Sequence, residues 1–193
     1  MRLNLPLLLT LGRVAAIPGV LALFYLPVPY ARQWACVLYS AAAITDWFDG
    51  YLARKWNQTS KFGAFLDPVA DKLMVAVCLI CLLHAAPADM SDVMKGVLTA
   101  MVAVIIGREI TVSALREWMA ELGQRTHVGV SLLAKVKTGF QMTAIGMMIW
   151  EANWPILPWY DVGFLALFIA SVLTLYSMIQ YLLAAWPMMK ESG

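Results

Sequence analysis

Four carboxylates, two glycines, an alanine and an arginine punctuate one stretch of an otherwise apolar chain, Asp46 to Asp71. On a helix, Asp46, Asp49 and Ala53 fall at i, i+3 and i+7 and share one face. Gly63, Asp67 and Asp71 recur every four residues and form a second stripe. Two such stripes set against each other gather four acidic groups, with small residues beside them. Carboxylates held that close push up one another's pKa unless a cation neutralises the set. Hard oxygen ligands of this kind suit Mg2+ or Mn2+. Gly50, Ala53 and Gly63 leave room for a ligand near the backbone, and Arg54 can grip a phosphate oxygen. The chemistry these residues support is that of a divalent-metal site handling a pyrophosphate.

The elements that must position them belong to a membrane protein. The 193 residues are 62% hydrophobic and 13% charged, with a mean hydropathy of +0.73. A soluble domain carries about twice that charged fraction. The formal net charge of +2 says less than where the charges lie. The sequence reads as one membrane-embedded domain over 1–193, without linker, repeat or low-complexity tract. Arg2 and Arg13 bracket an apolar stretch too short for a cleavable leader. Cys36, Cys78 and Cys81 are odd in number, and the C-x-x-C of the last two reads as core thiols at helical spacing.

The fold class is all-α: six transmembrane helices preceded by an interfacial amphipathic helix over 1–13. The apolar segments lie near 14–30, 33–54, 63–86, 94–116, 130–150 and 162–186, and Pro18 can kink the first. Tyr30, Trp34, Trp150, Trp154, Trp159, Tyr160 and Trp186 suit the interfacial belt. With the N-terminus cytoplasmic, most Lys and Arg fall on the inner side, while Asp89, Asp92, Glu151 and Asp161 fall in the outer loops. That bias predicts both termini in the cytoplasm. It also sets the acidic motif at the cytoplasmic end of spans two and three. Asp67-Pro68 alone can be read as a helix start, with Asp as N-cap and Pro at the first helical position. The other three acids have no such reading. An Asp at mid-span costs about 2.5–3.5 kcal/mol, so their retention points to function.

A second polar cluster, Arg108, Glu109, Thr111, Ser113, Arg116 and Glu117, lies on span four. Arg108 and Arg116 are eight residues apart, roughly on one face, and Lys135 and Lys137 enter span five from the same side. They suggest a pocket for a second anionic group, such as a phosphate on an acceptor alcohol. Arg108 and Glu109 also allow an internal ion pair. Arg125 and Lys190 read as ordinary inner-face charges, and His84 and His127 receive no role.

The spacing D-x2-D-G-x2-A-R-x8-G-x3-D-x3-D resembles the signature of the CDP-alcohol phosphotransferases, and all eight fixed positions are met. Asn4, Pro6, Leu9, Thr10 and Arg13 resemble the family's N-terminal element, which helps cover the nucleotide; Leu7 stands where members often carry Asn. The resemblance implies transfer of a phosphatidyl group from CDP-diacylglycerol to an alcohol, with release of CMP. It implies Mg2+ or Mn2+, in two ions, held by Asp46, Asp49 and Asp67 with Asp71 sharing. Asp71 is then the general base, and Thr10, Gly50, Ala53, Arg54 and Gly63 meet the donor. Residues 63–72, 108–110, 113–118 and 135–138 resemble the members that use glycerol 3-phosphate, whose phosphate Arg108, Arg116, Lys135 and Lys137 would hold. Inositol phosphate is also anionic, so a phosphatidylinositol-phosphate synthase is the alternative within the family. A metal-ion or proton-coupled transporter is the alternative outside it, although the acids gather at one end only. The resemblance further implies a homodimer in a bacterial inner membrane, with membrane lipids as neighbours and no nucleic-acid partner.

Overall fold

The computed structural model describes residues 5–56, 61–121, 132–150 and 158–191. Among these residues all regular structure is helical, with no strand. The helices are α1 (Leu5–Tyr25), α2 (Ala31–Trp56), α3 (Lys61–His84), α4 (Asp92–Glu121), α5 (Leu132–Trp150) and α6 (Trp159–Glu191). They fall into two compact units, Met1–Pro87 with Ile145–Gly163, and Ala88–Ala144 with Phe164–Gly193.

In the first unit α1 packs on α2 and α3. Pro27 and Pro29 stop α1, because the residue before a proline avoids helical geometry. The chain then reverses through Tyr30, whose φ of 60° is left-handed. Its carbonyl accepts a 2.9 Å bond from the Trp34 amide and so starts α2. Close packing follows from Gly19, where a Cβ would stand 3.0 Å from Leu38 Cδ2. Val20, Ala35, Tyr39, Ala42, Ala70, Met74 and Cys78 fill the core. Cys78 and Cys81 are both buried and free, as core thiols should be. At the far end of the unit, Arg32 lies 4.5 Å from the Phe24 ring centroid and donates to the Met148 carbonyl, while Cys36 donates to the Gly146 carbonyl. Tyr25 and His84 rings meet at the same end. These pairings make α1 and α2 antiparallel and α1 and α3 parallel.

In the second unit, Ser91 caps α4 by accepting from the Met94 amide at 3.3 Å, and Asp92 sits in the first turn where the helix dipole favours it. Helix α6 buries Leu167, Ala170, Ser171 and Thr174 on one side and exposes Leu165, Val172, Ile179 and Leu183 on the other. A row of exposed large apolar side chains along a helix is a surface made for lipid.

Among the described residues three helical stretches are long and apolar enough to cross a membrane, Leu7–Tyr25, Asp92–Met119 and Trp159–Leu183, and the chain is a membrane protein. Six were expected. Helices α2 and α3 fall short because Asp46, Asp67, Asp71 and Lys72 interrupt their apolar runs, and α5 has 19 residues with Lys135 and Lys137 in its first half. The expected break between an interfacial helix over 1–13 and a span from 14 is absent. One helix runs from Leu5 to Tyr25, because Arg13 is not a water-facing boundary but is buried.

Candidate active site

Leu7, Thr10, Arg13 and Val20 are all buried and lie at helical spacing along α1. Leu7, at the position where Asn was noted, is thus a packing residue. Arg13 is 2% exposed. Its Nη1 atom stands 2.5 Å from Asp46 Oδ1, 3.3 Å from Asp67 Oδ1 and 3.4 Å from Asp71 Oδ1. Asp46 comes from the C-terminal half of α2, and Asp67 and Asp71 from successive turns of α3. Asp46 of the first stripe therefore does meet Asp67 and Asp71 of the second, and they meet at an arginine. The carboxylates keep 33–44% of their side-chain surface exposed, while the guanidinium is enclosed. The acids can be reached from outside; Arg13 forms the floor.

The remaining donor-site residues lie on the same elements. Thr10 is buried one turn before Arg13, and Gly63 is half-buried one turn before Asp67. Asp49, Gly50, Ala53 and Arg54 lie on α2, one to two turns beyond Asp46, and their side chains fall outside the described residues. The helix-start reading of Asp67-Pro68 is corrected: α3 begins at Lys61, so both residues are interior to it. An acid and a proline inside a helix carry a cost, which leaves Asp67 to be explained by its place in the cluster.

Three carboxylate oxygens from two helices around one cation position are a donor set that fits Mg2+ or Mn2+. Among the described residues no such set is already drawn together at metal-ligand spacing. The Arg13 nitrogen stands where those oxygens point.

The second polar cluster belongs to the other unit. Arg108 Nη1 pairs with Glu109 Oε1 at 2.5 Å, the internal ion pair allowed by the sequence, and Ser113 Oγ donates to the Glu109 carbonyl. Arg116 Nη2 donates to Tyr181 Oη at 3.2 Å, and its guanidinium lies 5.5 Å from the Tyr181 ring centroid. Lys135 and Lys137 lie on α5, with side chains outside the described residues.

Two residues were given no site role in this form. Arg13 appeared only as an inner-face charge and part of the N-terminal pattern. Its signal was present: a lone charge on an apolar helix, three residues after Thr10, needs a buried partner. Tyr181, which orients Arg116, carries no signal of its own in the sequence.

The family described as CDP-alcohol phosphatidyltransferase matches residues 3–186. Among similar curated proteins are those named CDP-diacylglycerol–glycerol-3-phosphate 3-phosphatidyltransferase from Escherichia coli (strain K12), Shigella flexneri and Salmonella choleraesuis. Each is 48% identical to this chain over 186 residues, covering 96% of both sequences.

Proposed function

The chain belongs to the CDP-alcohol phosphatidyltransferase family, and we propose that it transfers the phosphatidyl group of CDP-diacylglycerol to glycerol 3-phosphate, giving phosphatidylglycerophosphate and CMP. The observation that carries this reading is the meeting of Asp46, Asp67 and Asp71 at one cation position, in a chain so similar to relatives named for that reaction. The acceptor hydroxyl oxygen forms a bond to the phosphatidyl phosphorus, the bond from that phosphorus to CMP breaks, and the hydroxyl proton goes to a base. Asp71 is assigned that base on the family resemblance, as the last Asp of the motif, and its partly exposed carboxylate is compatible with the role. Asp46, Asp49 and Asp67 are assigned as metal ligands, with Asp71 sharing. Mg2+ or Mn2+, in two ions, would supply neutralisation of the pyrophosphate charge and of the departing CMP. Thr10, Gly50, Ala53, Arg54 and Gly63 are assigned to the donor.

Arg108, Arg116, Lys135 and Lys137 are assigned to the phosphate of glycerol 3-phosphate, with the Tyr181 contact holding Arg116 in orientation. The two units are read as parts of one family domain over 1–193, a reading supported by the family match over 3–186, which runs through both. All six helices are placed across a bacterial inner membrane with both termini cytoplasmic, following the distribution of Lys and Arg. The polar halves of α2 and α3 then gather at the face where a lipid-anchored nucleotide meets water. A homodimer is the assembly expected.

An acceptor screen tests the reading. Purified protein with CDP-diacylglycerol and Mg2+ should form a lipid product with glycerol 3-phosphate and far less with glycerol, serine or inositol phosphate. Preference for inositol phosphate would move the chain to a different member activity.

A further inference from the structure

The assignments above leave Arg13 without a part, although it has the least solvent-accessible side chain in the cluster. One atom, Nη1, lies within 3.4 Å of an oxygen from each of three aspartates on two helices. A topological flank would extend its guanidinium towards water, as long basic side chains near a membrane surface do. Arg13 instead turns into the protein, from the same face of α1 that buries Leu7, Thr10 and Val20.

Charge counting gives this placement a purpose. Three carboxylates face a single guanidinium, without counting Asp49. The arginine is enough to hold the acids together and too little to satisfy them. Metal ligation asks for more: Mg2+ takes carboxylate oxygens at about 2.0–2.1 Å. A second cation cannot then keep its nitrogen at the point those oxygens share.

We propose that Arg13 is the internal counter-cation of the site. It holds Asp46, Asp67 and Asp71 in a pre-gathered arrangement in the metal-free protein, and a divalent cation must displace it from their oxygens in order to bind. Arg13 is thus a positioning residue that competes with the metal, and the proposal rests on the metal-site reading above. The competition has a calculable effect. Apparent affinity falls in proportion to the fraction of molecules whose site is open. If the guanidinium leaves the oxygens in roughly one molecule in 10 to 100, it weakens metal binding by about 10- to 100-fold. The benefit is that the acids do not repel one another out of register while the site awaits its ion. Arginine suits this use better than lysine, because its delocalised charge is less strongly hydrated and tolerates burial.

The test is Mn2+ binding to the full chain in nanodiscs without lipid substrate, followed by the electron paramagnetic resonance signal of free Mn2+. Arg13→Gln should bind Mn2+ about tenfold or more tightly than wild type, and in chelator it should unfold at a lower temperature than wild type. A merely structural arginine would give weaker binding when removed. Saturable binding to both proteins with equal or weaker affinity in Arg13→Gln overturns the proposal and leaves the metal site standing. No saturable binding by either protein overturns the metal site and the proposal together. If Arg13→Gln does not fold, Arg13→Lys decides against wild type. Its more strongly hydrated, single-pronged cation should loosen the hold and tighten Mn2+ binding, and unchanged or weaker binding overturns the proposal.

Discussion

Replacing Asp46 by Asn in the metal-free protein isolates the strongest contact of the site. The amide keeps the shape of the carboxylate and can still accept a hydrogen bond from Arg13 through its oxygen, so only the charge is lost. Arg13 stays charged, so its bond to the amide is still charge-assisted, and what is lost is the charge–charge part, roughly 1–2 kcal/mol out of the ~1.5–3 kcal/mol of such bonds. Asp46 keeps a third of its side-chain surface in contact with solvent, so screening favours the lower end, about 1 kcal/mol. For a chain of this length that corresponds to a fall of about 2–4 °C in melting temperature. Asp67 and Asp71 behave differently. Their oxygens stand 3.3 and 3.4 Å from Nη1 rather than 2.5 Å, and each adds repulsion to an already negative cluster. Asp67→Asn and Asp71→Asn should therefore be neutral to within about 0.5 kcal/mol, or stabilising. The assay is thermal unfolding in detergent and excess chelator, read by thiol-reactive dye at the buried Cys78 and Cys81. A more damaging Asp67→Asn than Asp46→Asn, or an Asp46→Asn as stable as wild type, would refute the arrangement of charges around Arg13.

Further outcomes are expected at four residues. Asp71→Asn should lower turnover by the ~10²–10⁴-fold of a missing general base while donor binding, measured with CDP-diacylglycerol, survives better than in Asp46→Asn; near-normal turnover would place the base elsewhere. Arg116→Ala should lower kcat/KM for glycerol 3-phosphate by roughly 10- to 150-fold through loss of a charge-assisted bond. Tyr181→Phe, which removes only the 3.2 Å contact to Arg116, should give a smaller loss in the same direction, and equal damage to both substrates in steady-state kinetics would count against the assignment. Gly19→Ala should be near neutral, because about 1 kcal/mol of helix propensity offsets its crowding of Leu38. Gly19→Leu should lose about 1–3 kcal/mol by forcing α1 from α2, as thermal unfolding would show.

The helical class and the acidic motif were legible because both depend on periodicity. Asp46 and the Asp67–Asp71 pair occupy faces fixed by helical spacing, and packing α2 and α3 on a common helix brings those faces together. What helical spacing cannot supply is the third helix that closes the site. Arg13 is 33 residues before Asp46, and only the pairing of α1 with both neighbours reveals that its charge is used internally. The same blind spot produced the expected break at residue 13: a charge in an apolar run reads as the membrane surface unless its partner is known. Asp67-Pro68 misled in another way. The dipeptide is a common helix start, yet α3 had already begun at Lys61. Tyr181 was silent because a tyrosine within an apolar helix carries no partner in its own spacing, and its 3.2 Å bond to Arg116 depends on how α4 and α6 meet.

The measurement that tests the central claim most directly is product formation by the purified chain from CDP-diacylglycerol and labelled glycerol 3-phosphate, with CMP followed in parallel. With Mg2+ present, labelled phosphatidylglycerophosphate and CMP should appear in equal amounts; chelator should stop both, and restored Mg2+ or Mn2+ should bring both back. Full turnover in chelator, or CMP released without labelled lipid, would contradict the assignment of a metal-dependent phosphatidyl transfer to the Asp46, Asp67 and Asp71 site.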